Sequence, residues 1–174
     1  VAKTYQECPE DVTDLADEVL RRWHQDLIEA GVTITYLFMS DDGGATLTHQ
    51  GYPAAAVIKK TSLKDRVAGH RDAILVIDRV WWDNHDNAMC RALLDHEMAH
   101  LLVARDDDGK SFITDDAHRP KLEIRKHDIQ IGGFIDVAER HRMAAIEVVA
   151  VAEATKKFAQ LGLFSGNDME PNAA

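Results

Sequence analysis

Cysteine is nearly absent from this chain, which has only Cys8 and Cys90 in 174 residues. Two thiols so far apart make neither a C-x-x-C pair nor a disulfide framework. The fold must therefore rest on a hydrophobic core, which a chain of this length can build as one domain. Cys90 is expected to be a small core residue rather than a ligand, and Cys8 to lie near a mobile terminus. Long apolar runs are missing as well. No stretch approaches the ~20 residues that span a bilayer. The opening Val1-Ala2-Lys3-Thr4-Tyr5-Gln6-Glu7 lacks the apolar centre of a secretory signal. The expectation is a cytoplasmic protein with no membrane partner. Excess basic charge is also lacking: 30 acidic residues face 20 basic ones, a formal net charge of -10. A general nucleic-acid binder needs a basic surface to displace counterions, so the balance argues against such a partner. Lys59-Lys60, the basic residues from Arg119 to Lys126, and Arg140-His141-Arg142 read as solvated faces. No repeat or low-complexity tract interrupts the chain. One domain is expected over residues 1–164, followed by a mobile polar tail at 165–174.

Hydrophobic periodicity is plentiful. Val12, Leu15, Ala16, Val19, Leu20, Trp23 and Leu27 recur at three- and four-residue spacing, which predicts an amphipathic scaffold helix ending at Gly31. Thr33–Met39 is rich in β-branched and aromatic residues and predicts a strand, as do Ala54–Lys60 and the apolar run Ala73–Ile77. Ser40–Gly51 reads as turn or loop, and Ser62–Gly69 as a short helix or irregular connection. Asp83-Asn84-His85-Asp86 can cap a helix over Asn87–Val103. Cys90, Leu94, Met98, Leu101 and Leu102 form the core side of that helix. Met89, Leu93, His96 and His100 form the adjacent side. Ala104–Pro120 is polar and acidic and reads as a solvated loop; Asp106-Asp107-Asp108-Gly109 fails the ligand spacing of a calcium loop. Leu122–Arg125 is a short strand candidate. A helix opening at His127 contains Gly132-Gly133, and a longer one runs from about Met143 to Gln160. Together these predict an α+β fold with a short mixed or antiparallel sheet of three to four strands, packed with an N-terminal helix, the Asn87 helix and C-terminal helices.

The chemistry concentrates in His96-Glu97-Met98-Ala99-His100, a His-Glu-x-x-His sequence. Residues four apart share a helix face, so His96 and His100 can present two imidazoles to one metal ion. Glu97 is placed to act as a base on metal-activated water. A catalytic zinc site takes three protein ligands. Candidates for the third are His85, His118, Glu123, His127, His141 and Glu147. His127 is favoured because a loop-to-helix transition can aim it back at the earlier helix, with Asp128 to orient it. His118 is the runner-up. His24, His49 and His70 read as surface residues, and Trp81 and Trp82 as core rather than substrate platform.

Ala92–Leu101, followed by Lys126-His127-Asp128-Ile129 and Phe134, resembles the putative phage metallopeptidase family. More distantly it is similar to SprT-like zinc peptidases, in which a later His supplies the third ligand. The resemblance covers about Ala73 to His141, with the strand Ala73–Ile77 and Trp82 fitting the same layout. It implies a small zincin-like domain with one Zn2+ per chain, His96, His100 and His127 as metal ligands, and Glu97 as the catalytic base. The implied activity is hydrolysis of peptide bonds in a peptide or protein substrate, in the host cytoplasm if the chain is phage encoded. Two other functions are consistent with the same residues: a non-catalytic interaction protein with a structural zinc, and a DNA-associated peptidase of the SprT-like kind.

Overall fold

The computed structural model describes residues 3–41, 47–127, 135–144 and 146–161. The predicted tail at 165–174, Gly132-Gly133 and the start of the helix expected after His127 lie outside the described residues. The chain divides into two compact units, Val1–Lys126 and His127–Ala174.

The first unit begins with strand β1 (Thr4–Glu7), then helices α1 (Glu10–Trp23) and α2 (Gln25–Glu29) and strand β2 (Ile34–Ser40). A small hairpin, β3 (Thr48–His49) with β4 (Tyr52–Pro53), leads to β5 (Ala56–Lys60), α3 (Leu63–Val67) and β6 (Ala73–Asp78). Helices α4 (Arg79–Asp83) and α5 (Asn87–Met98) follow, then β7 (Leu101–Val103) and β8 (Leu122–Ile124). The main sheet has the order β1-β2-β6-β5. β2 and β6 are parallel, while β1 and β5 run antiparallel to their neighbours. The α+β expectation and the three expected strands of this sheet hold; β1 and the hairpin were not anticipated.

Strand alternation sorts the core onto two faces. Tyr36, Phe38, Ile58, Leu75 and Ile77 pack against Val12, Ala16, Val19, Leu27, Leu94 and Met98 from the helices. Met39 and Val57 turn to the other face and meet Leu47. Cys90 is buried, as expected of a small core residue. Cys8 is not at a loose end: its N–H donates to the Tyr36 carbonyl at 3.0 Å, and burial pushes its thiol up to about 12. Trp82 packs against the core in a T-shaped contact with Phe38, whereas Trp81 stacks on His85.

Three expectations need correction. The first helix is not continuous to Gly31. It breaks at His24, whose backbone leaves the helical region (φ -127°), and Gly31 ends α2 at φ 72°. His24 is buried rather than exposed, because Nε2 donates to Asp95 Oδ1 of α5 at 2.8 Å. The Asn87 helix stops at Met98, and Leu101–Val103 is a strand of alternating burial paired with β8. Three apolar residues satisfy either period, and pairing decides.

Ala104–Pro120 is a largely exposed loop, as expected, but it is anchored at Asp115, Arg119 and Pro120. Arg66, buried on α3, donates from Nε to Asp72 Oδ1 at 3.1 Å and from Nη2 to the Pro120 carbonyl at 2.7 Å, and is ion-paired with Asp115. Arg119 Nε lies 2.9 Å from the same Asp72 oxygen. The Thr33 N–H and hydroxyl donate to Asp72 Oδ2 at 2.8 and 2.7 Å. Burial alone would raise the Asp72 pKa, but these hydrogen bonds outweigh it and hold the carboxyl below its usual value.

The second unit holds α6 (Ile135–His141), a 3-10 turn at Arg142–Ala144 and α7 (Ile146–Gln160). The last agrees with the long helix expected near Met143–Gln160. Among the described residues, no helix is long and apolar enough to cross a membrane.

Candidate metal centre

Helix α5 starts where Asp86 accepts a hydrogen bond from the Met89 N–H at 2.9 Å, a side-chain cap on the first turn. Leu94 and Met98 are fully buried and fix the rotation of the helix on the sheet. That rotation leaves His96 exposed and Glu97 buried. His100 lies just past the last helical residue. Its N–H bonds back to the Glu97 carbonyl at 3.1 Å, so the tightened turn keeps His96 and His100 on one side. Their ring centroids are 5.2 Å apart and nearly perpendicular.

His100 is tied to the exit of β8 twice. The Arg125 N–H donates to the His100 carbonyl at 2.8 Å, and His100 Nδ1 lies 2.7 Å from the Arg125 carbonyl. A carbonyl only accepts, so Nδ1 carries the proton and Nε2 keeps the lone pair that a metal needs. Two residues further along the chain comes His127. One nitrogen each from His96, His100 and His127 all lie within 4.8 Å of one another. Three nitrogens on a tetrahedral ion at ~2.1 Å would stand about 3.4 Å apart, so small side-chain adjustments suffice. The donor set fits a borderline ion such as zinc. Partial desolvation of His96, and then its neighbour His100, hold its pKa below the usual value despite Asp95, which favours the lone-pair form.

His85, His118 and Glu123 do not join this group. His118 is an exposed turn residue with φ 55°. Glu123 pairs opposite Leu102 on β8, and His85 stacks on Trp81. The side chain of Glu147 lies outside the described residues. Among the described residues no other group of three His, Cys, Asp or Glu has this spacing.

Glu97 is only 6% exposed. Its Oε2 accepts a hydrogen bond from the Ile58 N–H at 2.8 Å. The reason lies in the ladder between β5 and β6. The Thr61 N–H donates to Asp72 and the Asp78 N–H to Ala55. Antiparallel alternation then turns the backbone groups of Val57 and Lys59 toward β6, and those of Ala56, Ile58 and Lys60 toward the open side of the sheet. β5 is an edge strand, so its outward Ile58 amide meets α5 rather than another strand. No periodicity in the sequence signals this bond; it follows only from the register.

Converging imidazoles beside a buried carboxylate are the donor set of a metal-dependent hydrolase. A sequence model of the putative phage metallopeptidase family matches residues 4–159, and the chain belongs to that family. The family implies a metal. No curated protein and no solved structure matches the chain.

Proposed function

We propose that this protein is a single-zinc peptidase in which His96, His100 and His127 hold the metal and Glu97 is the general base. The convergence of the three imidazole nitrogens within 4.8 Å carries the reading. Among the described residues the group comprises three ligands, the number a catalytic zinc takes from its protein. Zinc, when bound, supplies Lewis acidity that acidifies water and polarises a carbonyl. The protein's own work is positioning and proton transfer. Glu97 takes a proton from the attacking water at Oε1 and passes it to the departing amine. Burial around Glu97 keeps bulk water away from that exchange. An extended peptide can pair along the outward side of β5, through the backbone of Ala56 and Lys60. β6 cannot take this role, because β2 and β5 occupy both its sides.

Metal content and cleavage test the proposal together. The purified chain should carry about one zinc, and His96→Ala should lose it. Glu97→Gln should keep the zinc and lower cleavage by about 10²–10⁴-fold, the usual worth of a general base. A wild-type chain that binds no zinc refutes the reading.

A further inference from the structure

We propose that the main-chain N–H of Ile58 is the positioning group for Glu97, so that the edge strand β5 sets the angle at which the base works. The inference rests on the base role given to Glu97 above. A glutamate side chain has three rotatable bonds and no preferred aim in a cleft. Here one carboxylate oxygen is fixed at 2.8 Å on an amide that faces away from β6. The amide cannot drift, because Ile58 is itself buried, with its side chain in the main core and its strand laddered to β6. Helix α5 is locked on the sheet by Leu94 and Met98, which flank Glu97 on its buried side. The carboxylate is thereby held between two rigid elements, the arrangement that pre-orients a reacting group. The same bond uses up the outward N–H at the middle of β5, so a peptide pairing along this edge finds its donors at Ala56 and Lys60 and none at Ile58.

The test removes the N–H without touching a side chain. The full-length chain is made with an ester in place of the Val57–Ile58 peptide bond. An ester at Ile58–Lys59 serves as control: the N–H it removes faces β6, so the ladder is weakened at least as much while the outward donors at Ala56, Ile58 and Lys60 are kept. With zinc loaded and labelled casein as an unfolded substrate, the Ile58 ester should lower kcat about 10- to 100-fold, the worth of a hydrogen bond to a charged group. KM and zinc content should match the control. An unchanged kcat, or a rise in KM alone, overturns the proposal, the latter because the amide would then serve the substrate. A second measurement needs neither metal nor activity. In metal-free protein the Ile58 amide should exchange with solvent about tenfold faster or more in Glu97→Ala, with the Val57 amide unchanged. In Glu97→Gln, whose carbonyl accepts the same bond, it should stay protected. An Ile58 amide indifferent to Glu97→Ala overturns the proposal even if the ester chain does not fold. Full cleavage by Glu97→Gln would instead remove the base reading, leaving the exchange result as evidence on the bond itself.

Discussion

At the scale of single residues, Asp72 is a buried acid with several cationic and hydroxyl partners. It accepts from Thr33, Arg66 and Arg119 while almost fully buried. Removing one partner of a buried ion cluster leaves the others uncompensated, so Asp72→Asn should cost about 3 kcal/mol in urea unfolding. The sign of the pH effect follows from the shift. A carboxyl held below its ordinary 3.8 adds stability above that pH, and the gain is lost as pH falls through the folded-state value. Wild-type stability should therefore fall more steeply below about pH 4 than that of Asp72→Asn, as measured by unfolding at a series of pH values. None of this was readable beforehand. Arg66, Asp72, Asp115 and Arg119 look like ordinary surface charges in the sequence, and only the folded chain brings them together. His24 misled for a similar reason: an imidazole on a helix reads as exposed until its partner, Asp95, arrives from 71 residues away.

At the scale of elements, α5 divides into an anchored side and an exposed one. Leu94→Ala should destabilise by about 2–5 kcal/mol, because the cavity lies where sheet and helices meet. Met89→Ala, at 49% exposure on the same helix, should stay within about 0.5 kcal/mol. Thermal or urea unfolding of the pair would check both, and equal effects would contradict the orientation given to the helix. Periodicity made α1, α5 and α7 legible, and β-branched runs did the same for β2, β5 and β6. What escaped was whatever local pattern does not encode. β1 is exposed along its whole length and is held by pairing with β2. β7 is three residues long and exists because β8 lies beside it. In the site, His96, Glu97 and His100 stood out through their spacing. The Arg125 carbonyl and the Ile58 amide did not, since a backbone group has no signature in a sequence.

At the scale of the whole molecule, metal and stability should be linked. A ligand that binds only the folded chain stabilises it by about 2.7 kcal/mol at one hundred times its dissociation constant. For a chain of this length that is a rise in Tm of roughly 5–10 °C. Calorimetry with and without zinc should show it for the wild type, and the shift should vanish in His100→Ala. A shift that survives in that variant would place the metal elsewhere. The net charge of -10 adds a second expectation. Retention on immobilised duplex DNA at about 0.15 M salt should be negligible, and strong salt-dependent retention would point to a localised basic surface.

The sheet order also sets a timetable. β5 and β6 are joined by about a dozen residues that hold α3, so this antiparallel pair closes a short loop. β2 reaches its parallel partner β6 only across about forty residues, a closure that must wait for the β5–β6 pair to offer an edge. Conservative truncations in β5, such as Ile58→Val, should therefore slow folding, while Ile34→Val in β2 should mainly speed unfolding. The strand that carries the Glu97 anchor would then be among the first parts of the chain to become ordered, before the helix that brings Glu97 to it.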